Sequence, residues 1–377
     1  MKTLYHPPLT DEARAIEAAR AEGAVRAAAV EAEATPTTGG PAPSTSSDRT
    51  QNPLRPHLFH QVIGQEKAVR LMERVVDACI AADEPLDHTL LVGPSGTGKS
   101  TFSHVIANEM GVEVYEAEAP VSMDTLLELR QVMRDGDILR IEEIHQQAVM
   151  ERRGKSSATQ PEVLYALMED RTITTGVGVL PYPHICIIGT TTDEGMLPDA
   201  FLNRFALRPH LEPYDGHHME QIAQFNADVL GLTITDTAKQ MFAAAARRTP
   251  RVLNNYMKNG SRLAGSGGTI DAALAREVLF DLNAVEPDGL TRDMVNMLTF
   301  LYERCRSVNK TTDEVSYQAS VNTIATAIGK SRDTKSINLR VEPWLIEKGY
   351  VQVTSRGRKL TDLGIKRARQ LLTGRKP

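Results

Sequence analysis

A chain of 377 residues, 41% hydrophobic and 24% charged, is too long for one ordinary domain and too apolar for a wholly disordered protein. No apolar stretch approaches the length of a membrane span, and Cys79, Cys186 and Cys305 are scattered, with no two at metal-ligand spacing, which suits a reducing compartment and a role in core packing. The net charge of −5 is unevenly spread. Residues 291–377 hold 17 Lys and Arg against 8 Asp and Glu, while the remainder holds 26 against 40, so the C-terminal unit is suited to a polyanion. Without a basic segment followed by an apolar core at the start, the expected setting is cytoplasmic.

In chain order, residues 10–34 are rich in Ala, Glu and Arg with little to bury. Residues 35–53 are a Thr, Pro, Ser and Gly linker, and 1–52 together read as a disordered tail. The stretch 65–82 predicts a helix with Val69, Met72, Val75, Val76 and Cys79 on one face. Short apolar runs at 89–92, 112–115, 137–141 and 184–189 predict strands, and a helix is predicted from Lys99 to a stop at Gly111. This alternation is the signature of a parallel sheet covered by helices, over 53–215. Residues 216–283 are nearly all helical in pattern, and Pro287-Asp288-Gly289 marks a boundary. From 291 onward the chain reads helix (294–306), helix (318–328), helix (334–348), two short strands around Ser355–Arg358, and a helix, which suggests a winged helix.

The chemistry starts at Gly93-Pro94-Ser95-Gly96-Thr97-Gly98-Lys99-Ser100, followed by Thr101. Strand, Gly-rich loop and helix in that order wrap a phosphate chain in backbone N–H groups. Lys99 is placed to reach the β- and γ-phosphates and Ser100 to bind Mg²⁺. Such a loop needs an acidic pair on a neighbouring strand end, one carboxylate for Mg²⁺ and one to polarise the attacking water. Asp137-Ile138-Leu139-Arg140-Ile141-Glu142-Glu143 supplies it with Glu142 and Glu143. The strand at 184–189 ends in Thr190-Thr191-Thr192, at the edge where open α/β sheets bind ligands. Arg204 and Arg251 are cations available to a transferring phosphoryl group. Arg356 and Arg358 flank Gly357 at a turn, where both could reach DNA phosphates or a minor groove.

Beyond these motifs, Ile63-Gly64-Gln65-Glu66, Leu86-Asp87-His88, Ile106-Ala107-Asn108-Glu109, Glu143-Ile144-His145, Gly195 with Arg204-Phe205, Thr249-Pro250-Arg251 and Glu342-Pro343-Trp344 occur in an order and spacing that resemble RuvB. RuvB proteins are AAA+ motors that drive Holliday-junction branch migration in bacteria. The resemblance covers about residues 54–360. It implies an AAA+ large domain over 53–215, a helical lid over 216–290 and a winged-helix DNA-binding domain over 291–377. It further implies ATP with Mg²⁺, duplex or branched DNA as partner, and a homo-hexameric ring. On it, Glu143 is the catalytic glutamate, Thr192 the polar sensor, Arg204 an arginine finger acting on a neighbour's ATP, and Arg251 the second sensor. Ile63 and Tyr214 lie near the adenine.

The sequence departs from that family at three places. Glu142 stands where the family has Asp, so looser metal geometry and slower turnover are expected, with Glu142→Asp raising the rate. Arg140 puts a charge into the same strand, where the family has an apolar residue and the sequence offers no reason for one. The segment 146–160 is longer and the hairpin at 171–183 shorter, and in the family that hairpin docks the junction-binding partner RuvA. Three functions stay open on this reading: a DNA-translocating motor, an AAA+ loader or remodeller, and a winged-helix DNA switch that binds ATP but scarcely hydrolyses it. DNA-stimulated turnover separates them.

Overall fold

The computed structural model describes residues 53–147, 161–176, 178–308, 315–330 and 333–373. The tail expected over 1–52 and nearly all of the 146–160 segment lie outside the described residues. Two compact units emerge: one runs to Leu230 and takes in Thr249–Arg251, and the other comprises Gly231–Arg248 and the chain from Val252 onward.

The first unit is built on strands β1 (Thr89–Val92), β2 (Val114–Glu118), β3 (Ile138–Glu142) and β6 (Cys186–Thr191), parallel and ordered β1-β6-β3-β2, with the hairpin β4 (Thr172–Thr175) and β5 (Gly178–Pro181) apart from it. A further segment runs beside β1 through the parallel bridges Thr89↔Leu207 and Val92↔His210. Every residue of β1 and β6 is buried, which is why these strands read as unbroken apolar runs. Side chains alternate between two cores. Leu90, Leu139, Ile141 and Ile187 join Leu126, Leu164 and Phe201 on one face. Leu91, Ile138 and Ile188 join Met72, Val76, Phe102 and Ile106 on the other. With a period of two, Arg140 and Glu142 share the face of Ile138, towards the helices Glu66–Ala82 and Lys99–Met110.

Helix Glu66–Ala82 starts one residue after the predicted Gln65. Gln65 takes a left-handed conformation, and its amide instead exchanges two hydrogen bonds with the Glu212 backbone, at 2.7 and 2.9 Å. Helix Lys99–Met110 ends on Gly111 as its sequence predicts. His88 accepts the Ile187 N–H at Nδ1 (3.0 Å) and contacts the Met168 carbonyl through Nε2 (3.1 Å), which fixes a neutral imidazole whose pKa burial lowers.

In the second unit, short parallel strands β7 (Thr233–Ile234) and β8 (Thr269–Ile270) accompany helices Asp236–Ala245 and Ala272–Glu277 and most of Pro250–Ala264. Helix Arg292–Arg304 then packs Met294, Leu298 and Leu301 into a core with Ile324, Ile337, Leu345 and Leu360. Four antiparallel strands, β9 (Arg306–Val308), β10 (Val315–Ala319), β11 (Val351–Thr354) and β12 (Gly357–Leu360), stand in the order β11-β12-β10-β9. Residues 315–319 are therefore strand where 318–328 reads as helix, and the helix proper is Val321–Ala327, capped by Ser320. The predicted 334–348 helix is interrupted by a π-turn over Ile337–Val341 before Glu342–Glu347. Pro343, which has no N–H to give to the preceding turn, lies just after that break. Asp288 accepts from Trp344 Nε1 through its carbonyl (3.0 Å) and from Tyr350 and Arg367 through its carboxylate (3.1 and 2.8 Å), tying the turn at 287–289 to the winged helix.

Candidate active site

The phosphate loop joins β1 to helix Lys99–Met110. A Cβ on Gly93 would lie 2.4 Å from the Leu211 carbonyl oxygen, and one on Gly96, at φ +84°, 2.5 Å from the Thr249 methyl. Neither position tolerates a side chain. Gly98, also at positive φ, ends the loop, and Thr97, buried, closes the turn by donating to the Pro94 carbonyl at 2.8 Å. Lys99 is 8% exposed and donates to the Gly93 and Pro94 carbonyls at 2.6 and 3.1 Å, so its ammonium already occupies the loop's interior. Burial lowers its pKa, Glu143 and Glu142 oppose that shift, and Arg251 adds to it.

The acidic strand end lies directly opposite. Ser100 Oγ donates to Glu142 Oε1 at 2.9 Å. The two oxygens that would face a small, hard cation thus converge on one point, and one carboxylate plus a hydroxyl, completed by phosphates and water, is how Mg²⁺ is usually held. Glu143 follows at φ +50°, a left-handed turn that lifts it off the strand, and approaches His145 Nδ1 at 3.3 Å. The same nitrogen is 3.0 Å from Thr191 Oγ1.

The remaining candidates fall into place unevenly. Thr191 is fully buried and bonded to Asp193 as well as His145, whereas Thr192, the residue singled out in the sequence, is exposed just past the strand end. Arg251 is exposed, and its Cβ lies 3.8 Å from a Cβ built on Gly96. Tyr214 is buried with its ring against Gly64 and its hydroxyl towards Gly98, and Ile63, which precedes Gly64, is half-buried. Thr101 is half-buried on the helix's first turn. Arg204 contacts Glu169 (3.0 Å), the face of Tyr165 (4.1 Å to the ring centre) and the Ala200 carbonyl, none of them in the phosphate loop.

A network that sequence reasoning missed links this site to the sheet. Arg140, 4% exposed, reaches Glu116 at 2.9 Å and Glu142 at 3.2 Å and donates to the Ser100 carbonyl at 3.2 Å. His104 contacts Glu116 at 3.2 Å. The signal was in the pattern: Ser100 and His104 are four apart on a helix, and Glu116 is the β2 partner of Arg140.

At the wing, the two arginines differ. Arg356 is exposed, at the turn between β11 and β12. Arg358 is instead clamped on buried Glu342, with Nη2–Oε2 at 2.8 Å and a second contact from Nε, and it also reaches Asn338 at 3.4 Å. Its charge is largely spent inside the unit.

Residues 54–211 match the P-loop domain of the Holliday junction DNA helicase RuvB, and residues 288–368 match the RuvB C-terminal winged helix domain. A Holliday junction branch migration complex subunit RuvB from Rubrobacter xylanophilus is 31% identical over 333 residues, covering 85% of this chain and 87% of that protein. The same subunit from Lactococcus lactis is 31% identical over 322 residues, covering 82% and 90%. Among solved structures, a mutant Thermotoga maritima RuvB superposes with a TM-score of 0.66 at 25% identity, over 84% of this chain and 98% of that one. With a phosphate loop, an acidic strand end and a winged helix in this order, the chain belongs to the RuvB family of Holliday junction DNA helicases.

Proposed function

We propose that this chain is an ATP-driven motor that moves duplex or branched DNA, of the kind that migrates Holliday junctions. The observation that carries the reading is the convergence of Lys99, Ser100, Glu142 and Glu143 on one loop mouth, with Thr249–Arg251 against it. Backbone N–H groups of the loop and the Lys99 ammonium bind the β- and γ-phosphates. Ser100 and Glu142 are the residues that would hold Mg²⁺, which when bound neutralises charge on those phosphates. Glu143, raised by its left-handed turn, orients the attacking water and takes its proton. Ile63 and Tyr214 flank the adenine, with Gly98 and Thr101 at the phosphates.

Thr192 senses the γ-phosphate from its exposed place after the strand, and Arg251 does so from the opposite side. Arg204 acts in trans, on ATP held by the next subunit of a hexameric ring, which suits a side chain whose own-chain partners are all outside its phosphate loop. The large, lid and winged-helix divisions at 53–215, 216–290 and 291–377 organise this cycle. The wing contributes Arg356 to DNA, with Arg358 ordering the wing and lending what charge Glu342 leaves. A RuvA-like partner would find the short β4–β5 hairpin, with Val179 exposed on it. Relatives named as subunits of a branch migration complex support a motor over a loader or a switch.

Mixing separates these roles. Arg204→Ala and Lys99→Ala should each be inactive alone. When mixed under conditions where mixed rings form, they should regain part of the DNA-stimulated ATPase, because their defects lie on opposite sides of a shared interface. No recovery in mixed rings contradicts the in-trans finger.

A further inference from the structure

Buried charge is tolerated only where it is paired and hydrogen-bonded, so an arginine inside a parallel strand demands a reason. Arg140 is 4% exposed on the helix-facing side of β3. It lies between Glu116 on β2 at 2.9 Å and Glu142, two residues on along β3, at 3.2 Å, and a second nitrogen donates to the Ser100 carbonyl at 3.2 Å. The same Glu142 oxygen, Oε1, also accepts from Ser100 Oγ at 2.9 Å. Glu142 is therefore gripped at one oxygen from two sides. His104, on the helix that carries Ser100, closes the far end on Glu116.

We propose that Arg140 is a positioning residue that holds the Glu142 carboxylate on the Ser100 hydroxyl, with Glu116 balancing its charge, so that a glutamate works at this position only together with the buried arginine. This rests on reading Ser100 and Glu142 as the metal-side pair of the ATP site. Side chains at 140 and 142 stand on one face about 7 Å apart along the strand. Glutamate's extra methylene lets Oε1 meet the guanidinium and the hydroxyl at once. An aspartate there would draw the carboxylate back towards the backbone and give up Arg140, Ser100 or both. The expectation from sequence, that Glu142→Asp speeds turnover, is thereby reversed. A shift of about 1 Å in such a group can cost about a hundredfold in rate.

The test compares the full chain with Glu142→Asp, Arg140→Lys, the pair Arg140→Val/Glu116→Val, and the triple Arg140→Val/Glu116→Val/Glu142→Asp. The readouts are kcat and KM for ATP, the Mg²⁺ concentration at half-maximal rate, the affinity for a fluorescent ADP analogue with and without Mg²⁺, and the melting temperature without nucleotide. Glu142→Asp should melt like the wild type, lose tenfold or more in kcat, need more Mg²⁺, and lose the Mg²⁺-dependent part of its ADP affinity while the metal-free affinity holds. Arg140→Lys keeps the charge but gathers its three N–H donors on one nitrogen, which cannot span Ser100, Glu116 and Glu142 as two guanidinium nitrogens do, so it should show the same signature. The Val pair, free of unbalanced charge, should show it too. The triple should recover most of what Glu142→Asp loses, since no buried guanidinium then competes with Ser100 for the shorter carboxylate.

A Glu142→Asp form as fast as the wild type, or Arg140→Lys with unaltered Mg²⁺ dependence, overturns the proposal. So does a triple no better than Glu142→Asp. If the Val variants melt too low to assay, Glu142→Asp and Arg140→Lys decide the matter alone. Failure of the ATP-site reading would show instead in the wild type, as neither ADP binding nor turnover, and would take this inference with it.

Discussion

Arg140 and Arg358 sit in different units, and each is bound by glutamate, but the two pairs do different things. Arg140 is sealed between Glu116 and a carboxylate at the mouth of the nucleotide site, so the charges that stabilise the sheet also aim a reacting group. Arg358 grips Glu342 beneath a wing whose exposed cation is its neighbour Arg356, so that pair holds a shape that another residue uses. Losing one member costs most at the wing, where Glu342 is buried on Arg358, and less at the strand, where Glu116 keeps His104. The two pairs should differ in what an apolar replacement of the whole pair gives back: at the wing, stability and function; at the strand, stability alone.

The largest expected effect separates chemistry from grip. Glu143→Gln should lower ATP hydrolysis by about 10²- to 10⁴-fold, the range a positioned general base contributes, while nucleotide affinity and DNA affinity hold. Hydrolysis at an unchanged rate would move the base elsewhere. Next come the two arginines themselves. Arg358→Leu should cost about 3–5 kcal/mol in denaturant unfolding, the usual toll of orphaning a buried partner, and Arg140→Leu less, because Glu116 keeps His104 and Glu142 is partly exposed. Arg358→Leu with Glu342→Leu should recover most of that and keep basal ATPase at the wild-type rate. A wing double variant with slowed basal hydrolysis would break the comparison.

Smaller still is the wing's own contact. Arg356→Ala should flatten the dependence of log K for DNA on log salt by about one unit, with basal ATPase unchanged. A full-size salt slope would assign the phosphate contacts to other cations.

The smallest effect is a pH slope. All ten histidines precede residue 231, so imidazole titration should act on the first unit and spare the second. Burial holds the folded His88 pKa below the ordinary 6.5. Its contribution is therefore complete above that pH and is lost as pH falls below it, because the unfolded chain then takes up a proton that the fold refuses. His184, lowered in the same way, adds to the loss. One such group gives at most about 1.4 kcal/mol per pH unit. His88→Gln should lessen the loss of stability between pH 7 and 5, read by hydrogen exchange in each unit separately. Equal slopes in the two proteins would exclude His88.

The strands at 89–92 and 137–141 and the helix from Lys99 to Gly111 were legible because local signals decide them: continuous burial, a glycine loop, a glycine stop. The phosphate loop and the pair Glu142–Glu143 were legible for the same reason. Strands β9 and β10 were not, since their three and five residues take their pairing from the wing rather than from any run of their own. Nor was the break at 337–341, where a helical pattern hides a proline's missing donor. Arg140 looked out of place because its reason lies across the sheet, in Glu116, and across a loop, in Ser100. Arg358 looked like a DNA contact because a charge beside a turn reads as exposed, and its partner Glu342 lies sixteen residues earlier.

The claim that joins both regions is that ATP hydrolysis at this site moves DNA. The measurement that bears on it most directly is dissociation of a synthetic four-way junction by the full chain, followed together with ATP turnover. Wild-type protein should show DNA-stimulated hydrolysis and ATP-dependent branch migration, and Glu143→Gln should bind the junction and ATP without moving it. Junction binding with negligible turnover in the wild type would contradict the motor and favour a nucleotide-gated DNA-binding switch.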